Sequence, residues 1–427
     1  MTLTRRMLIG GALGAAATTA LAACGGSDQP SGDSGGNGAG SIRFSIWFGE
    51  GDIDVWKAVI AGFQKANPDI TVKFEPQEYA NFWTKLNTQL AGGSAPDVIG
   101  MQFQQASLGP SGQLEPLDEA MAGDISKMPD TLVKIGQATK DGKTAQYALP
   151  WRFVGSSLYG NTSAMEKAGI TVPSAGWTLD DFVAAAKELT QGSSFGTQIP
   201  GGGAQVPIAS TFGAVPVSED GKTATFNTPE MAATKAFFRD LIYVHKVAPA
   251  PKKVSAQKDP FATDQIRMTF QGSWMTPVYR SIKNFEWDIL PNPSGQQPAK
   301  NYAGPDMISV YAKSKNKVAA EKFVQYAVFD RAAQELIGKT GAPVLADYLT
   351  DQTRVDAEAK LKPANYGYFV KEATDNGEGW GFVPKFADIG KLEADADYEM
   401  YTKPDSDIPS ILNALNTKVQ AALDSTR

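Results

Sequence analysis

Trp47 stands three residues before Glu50, with Gly49 between them. That grouping offers a rigid aromatic face, room for a ligand to approach the backbone, and an acid to accept its hydrogen bonds. Gln102 and Gln104 add two amides that both donate and accept. Trp151 and Arg152 follow Pro150, Trp274 follows Gly272 and Ser273, and Trp380 lies between Gly379 and Gly381. Tyr79 and Asp306 complete the set of candidate ligand-binding residues. Aromatic faces bordered by acids and amides suit a solute with C–H faces and a rim of hydroxyls, as a carbohydrate has. Rigid rings lose little entropy on binding, and each polar group buried with the solute must be paired, since an unpaired one costs about 1–3 kcal/mol. Every position also has a plainer reading: Trp47 as a core residue beneath a turn, Gln102 and Gln104 as a solvated loop, Arg152 as the partner of Asp306.

Other chemistries are excluded by what the chain lacks. Cys24 is the only cysteine and His245 the only histidine. Intrachain disulfides, cysteine-built metal sites and zinc sites with several histidines are therefore impossible, and a Ser-His-Asp triad would rest on one residue. His245 ends a predicted helix, where a partly positive imidazole suits the dipole. Gly201-Gly202-Gly203 has no following Lys-Ser/Thr and is not a phosphate loop. A net charge of −6 argues against nucleic acid. No catalytic residue, metal ligand or cofactor is expected.

Elements that could position these residues alternate along the chain. Ile42–Phe48 alternates as a strand, Val55–Phe63 has helical spacing, and Ile70–Phe74 is the next strand. A helix over about Asn81–Leu90 and a buried strand at Pro96–Met101 follow. This order predicts a parallel sheet covered by helices, with ligands at the carboxyl ends of its strands, where Trp47–Glu50 and Gln102–Gln104 fall. Tyr147–Trp151 and Ser157–Asn161 are two further strands, and Thr178 with Asp181 caps a helix over Leu179–Leu189. Later helices are expected at Pro229–Tyr243, Val318–Phe329 and Ile408–Leu423. Trp56, Trp83, Trp177 and Trp287 are assigned to packing. With 42% hydrophobic residues the chain can build two domains, and no repeat period is visible.

The N-terminus has the form of a secretory signal: Arg5 and Arg6, an apolar run from Met7 to Ala20, then Leu21-Ala22-Ala23-Cys24. The last four residues resemble a bacterial lipobox, which implies a diacylglyceryl group on Cys24. Thr4–Ile9 more loosely resembles a twin-arginine signal. The Gly/Ser-rich segment 25–41 is read as a tether that keeps a soluble domain near a membrane.

Several spaced segments resemble the extracellular sugar-binding proteins of ABC importers, the group that includes maltose-binding proteins. They are Phe63-Gln64-Lys65-Ala66-Asn67-Pro68-Asp69-Ile70-Thr71-Val72, Leu90-Ala91-Gly92-Gly93-Ser94-Ala95-Pro96-Asp97-Val98, Tyr147-Ala148-Leu149-Pro150, Met268-Thr269-Phe270-Gln271-Gly272-Ser273-Trp274, and Val318 to Val328. The resemblance implies an α/β fold of two lobes joined by a hinge of several crossing segments, near Phe153–Ser157, Gly304–Ser309 and Gly341–Leu345. It divides the chain into a signal (1–23), a tether (24–41), lobe one (42–154 and 306–342) and lobe two (155–305 and 343–427). It also implies a stacking role for Trp274, where that family often has an aromatic residue.

By the same resemblance the chain is expected to be an exported, lipid-anchored monomer on the outer face of the cell membrane. It would capture a mono- or oligosaccharide between its lobes and deliver it to separate permease subunits. Two other readings remain open at this point. The same fold could hold a polyamine, metal ion or peptide, or a secreted glycosidase could use a carboxylate pair such as Glu50 and Asp306.

Overall fold

The computed structural model describes residues 39–49, 52–173, 176–218, 221–251, 258–367, 377–378 and 385–425. Its strands are β1 (Gly40–Phe48), β2 (Ile70–Glu78), β3 (Val98–Met101), β4 (Gln137–Lys140), β5 (Lys143–Gln146), β6 (Leu149–Asn161), β7 (Met268–Gly272), β8 (Trp287–Leu290), β9 (Asn301–Val310) and β10 (Gly377–Glu378). Eight form one sheet in the order β2-β1-β3-β9-β6-β7, with β8 on β6 and β10 on β9, while β4 and β5 pair by themselves. As the alternation of strand and helix predicts, β1 is parallel to both β2 and β3, and the fold is α/β.

Two large cores lie on this sheet. The first gathers side chains from 42–151 and 307–345, around Phe44, which packs against Trp56, Phe74 and Phe323. Gly100 lets β3 close on β1 there, since a Cβ would sit 2.4 Å from Ile46 Cγ1. The second core draws on 154–302 and on 389–423, so the last helices return to a core that the chain had left. A smaller cluster joins Tyr159, Tyr279 and Trp287 to Ala342 and Tyr366.

Two strands pass from one core to the other. β6 carries Trp151 into the first and Val154 into the second. β9 carries Tyr302 into the second and Met307 into the first. They pair antiparallel from Leu149 to Gly155, with an irregularity between Pro150 and Arg152. Phe153 also exchanges backbone bonds with Ala342 at 2.8 Å, so a third segment crosses beside them. Beyond Gly155, β6 turns to β7 and β8. The sequence suggested two strands here, Tyr147–Trp151 and Ser157–Asn161; instead one strand is continuous and buried on both faces, which removes the alternation a half-exposed strand would show.

The helices begin where their caps place them. Thr178 and Asp181 form the full reciprocal capping box of Leu179–Leu189. Asp52 opens the helix Asp52–Ala66 and accepts from the Gly49 backbone N–H at 2.8 Å. Inside the second core the helices Pro229–Tyr243 and Phe386–Tyr401 are joined by a buried cation, with Lys235 Nζ 2.9 Å from Glu393 and 2.8 Å from Asp397. Gln205 accepts from the same nitrogen at 2.8 Å.

Candidate functional site

The carboxyl ends of β1 and β3 meet the crossing strands β6 and β9, and most of the candidate residues converge there. Arg152 is 2% exposed. Its Nε donates to Asp306 Oδ2 at 2.8 Å, and its Nη1 donates to Asp52 Oδ1 at 2.6 Å and to Thr340 Oγ1 at 3.1 Å. Nη2 reaches Asp52 Oδ2 at 3.3 Å. One guanidinium on β6 thus grips β9, the start of the first helix and the segment that precedes the third crossing. Gly341 makes room for it, because a Cβ there would lie 3.0 Å from Arg152 Cδ.

The electrostatics follow from burial. Burial would lower the guanidinium pKa, but the carboxylates of Asp52 and Asp306 raise it, and the group stays charged. Burial pushes Asp306 above the ordinary carboxylate range while the Arg152 charge pulls it back. Two acids share one base in this triad, and the Asp52 charge adds to the rise at Asp306.

Asp306 continues the chain of contacts outward. Its Oδ1 accepts from Gln102 Nε2 at 3.4 Å, and Gln102 Oε1 accepts from the Tyr79 hydroxyl at 2.9 Å. Tyr79 is 40% exposed, and desolvation by the surrounding protein pushes its hydroxyl up to about 12. The Trp83 indole N–H approaches the same oxygen and opposes the rise, without reaching full hydrogen-bond geometry.

Several expectations are corrected by this arrangement. Trp151 is 1% exposed, wedged between Trp56 at 4.7 Å and the Arg152 guanidinium at 4.4 Å, so it has no free face for a solute. Arg152 and Asp306 adopt the plainer of their two readings, an ion pair, and Arg152 is engaged on three sides. Trp47 is 6% exposed; Phe82, Trp83 and Tyr79 surround it, and Tyr79 is the most exposed of the group. Gln104 is a buried residue rather than part of a solvated loop. Its Oε1 accepts from the backbone N–H groups of Gln102 and Phe103 at 3.2 and 3.1 Å, which leaves Nε2 buried without a partner.

Trp274 lies on the other core, in a single turn, Ser273–Met275, and is half-buried. Its ring folds over Gly272: a Cβ at that position would fall 2.1 Å from the six-membered ring. Glu50, Trp380 and Cys24 lie outside the described residues.

Three residues at the site went unnamed by the sequence. Asp52 and Thr340 complete the shell of Arg152. Tyr302 on β9 is buried, and burial, helped by the nearby Asp306 and Tyr79, drives its hydroxyl pKa upward. Gly203 fits against its ring, where a Cβ would be 2.6 Å away. The hint lay in the run Asn301–Val310, whose tyrosine precedes Asp306 by an even number of residues and therefore shares its face of the strand. An open groove of about 750 Å³ elsewhere, bordered by Trp177, Asp180 and His245, contains none of the candidate residues.

This architecture has well-covered counterparts. An ABC substrate-binding protein from Listeria monocytogenes, solved with cycloalternan, superposes with a TM-score of 0.80 at 22% identity, covering 90% of this chain and 99% of that one. A maltose-bound T. maritima protein gives 0.76 at 19% identity over 90% and 99%. Both have the two-lobed periplasmic-binding-protein fold. In sequence, the multiple sugar-binding protein of Streptococcus mutans is 25% identical over 396 residues, 86% of this chain and 88% of the relative. Residues 50–334 match the family model for bacterial extracellular solute-binding proteins. The chain is a member of that family.

Proposed function

We propose that the protein is the carbohydrate-binding component of an ABC importer. It takes an uncharged sugar between its two cores and presents it to separate permease subunits. The observation that carries this reading is the exposed Tyr79, tied through Gln102 to Asp306 where the cores meet, with the partly buried Trp274 against the second core. An aromatic face beside an ordered amide and acid suits the C–H faces and hydroxyls of a sugar. The names of the relatives, which bind multiple sugars, cycloalternan and maltose, support the same class.

In this reading lobe one comprises 42–154 and 306–342, and lobe two the remaining folded residues. Val344 and Leu345 pack in the first core, which supports a last boundary a few residues downstream. The lobes close about β6, β9 and the segment near Ala342, and closure is favoured by as much as the solute prefers the closed state. Trp274 stacks on the sugar. Glu50, Gln104 and Trp380 are further proposed contacts, while Trp47 supports Tyr79 from below. The protein acts by binding alone, as an exported monomer anchored by a lipid on Cys24.

A thermal-shift screen of the purified protein tests the reading. The panel holds mono-, di- and oligosaccharides together with polyamines, amino acids and ferric ion. A solute at a hundred times its dissociation constant adds about 2.7 kcal/mol to the folded state. A sugar response that disappears in Trp274→Ala is expected; a response confined to polyamines or to iron would overturn the carbohydrate assignment.

A further inference from the structure

Tyr79 meets the junction of the cores with a hydroxyl whose direction is set from behind. Arg152 carries donors only and does not release its proton. Its Nε donates to Asp306 Oδ2, and its other hydrogen bonds go to Asp52 and Thr340. With Oδ2 held by Arg152, Asp306 offers Oδ1 as an acceptor, and Gln102 turns its Nε2 toward it. An amide that commits its NH2 on one side presents its carbonyl on the other, and Oε1 accepts the Tyr79 proton.

We propose that the relay Arg152–Asp306–Gln102–Tyr79 sets the specificity of the site: the Tyr79 oxygen is left with lone pairs alone, so the solute must bring a hydrogen-bond donor to it. A hydroxyl of an uncharged polyol satisfies this. A carboxylate, phosphate or ether oxygen at that position meets a lone pair and is refused. The inference rests on the carbohydrate reading above and specifies which part of the sugar is recognised.

Asp306→Asn inverts the relay. In that variant the side-chain carbonyl is held by Arg152 Nε, the new NH2 then faces Gln102, and the Gln102 amide rotates to direct its own NH2 at Tyr79. The phenol becomes an acceptor and its proton turns to the cleft. The experiment records the tyrosine doublet by ultraviolet resonance Raman on the full chain, with Tyr79→Phe subtracted to isolate residue 79. A donor signature in the native protein and an acceptor signature in Asp306→Asn are expected, a reversal that loosened packing alone would not produce. An acceptor signature in the native protein overturns the proposal, whether or not the Asp306→Asn variant folds.

A second arm uses maltose, cellobiose and lactose, and the monodeoxyfluoro analogues of whichever shows the largest thermal shift, since C–F cannot donate. One analogue should lose about five- to tenfold in affinity in the native protein and nothing further in Tyr79→Phe. Fluorine tolerated at every position overturns the specificity claim. No response to any of the three sugars counts against the carbohydrate reading, and the Raman arm then still decides the direction of the relay.

Discussion

Arg152 Nε lies 2.8 Å from Asp306 Oδ2, across 154 positions of sequence, and this ion pair sits where two strands cross between the cores. Attraction between such groups is strong only because water is excluded, and the same exclusion makes either partner harmful alone. The pair therefore behaves as a unit with Asp52.

Replacing Arg152 by leucine strands two carboxylates in a dry site. The expected loss is about 3–5 kcal/mol of stability, read as a lower midpoint in urea denaturation. Arg152→Lys should recover only part of it, because a single ammonium cannot span Asp52, Asp306 and Thr340 together. Full recovery by lysine would mean that charge alone, without the fork geometry, holds the crossing.

Gly272→Ala should separate binding from folding. Its φ of −82° suits any residue, and the atoms nearest to the added methyl belong to the Trp274 ring, which must shift to admit it. Sugar affinity should fall at least about tenfold, a change worth about 1.4 kcal/mol, with the melting temperature of the unliganded protein changing little. Unchanged affinity in a fluorescence titration would remove Trp274 from the binding surface.

Gly100→Ala should do the opposite. Its Cβ would collide with Ile46 inside the first core, so stability should drop by about 1–3 kcal/mol. The variant should still bind sugar with native affinity at temperatures where it is folded. Equal stability in denaturant would show that β1 and β3 can part without penalty.

Asp397 gives a pH signature. Burial raises its pKa from 3.8 to about 6, with Lys235 opposing and Glu393 adding to the rise. Between those values the folded state keeps a proton that the unfolded chain has released, so stability from this group is fully present below about pH 4 and fades as pH climbs through 6. Lys235, Glu393, Gln205 and Tyr401 all face it. The fall in unfolding free energy from pH 4.5 to 7 should be smaller in Asp397→Asn than in the native protein. An equal fall in both would assign the effect to other groups.

Local signals carried the architecture well, because caps and apolar periods are local. The capped helix Leu179–Leu189 and the strands around β1 were legible residue by residue, and so was the α/β class. The site was legible in composition but not in role. Nothing near Arg152 in sequence indicates that its partners lie at 52, 306 and 340, and an arginine beside a tryptophan reads equally as a ligand contact or as a buried pair. Trp47 and Trp151 illustrate the same limit: a strand end says where a side chain begins, while its exposure depends on helices that pack over it from elsewhere. Asp52 opens a helix whose spacing the sequence showed only from Val55 to Phe63, and its second task for Arg152 left no mark in the local pattern.

Each core is assembled from distant stretches of chain. The first closes only when 307–345 joins 42–151, and the second only when 389–423 joins 154–302. A chain growing from its N-terminus must therefore pass residue 300 before either core can be finished, and the second waits for the final helix. For most of its synthesis the polypeptide holds incomplete apolar surfaces that only later residues can cover, so its folding is governed by the arrival of its far end rather than by the progress of its beginning.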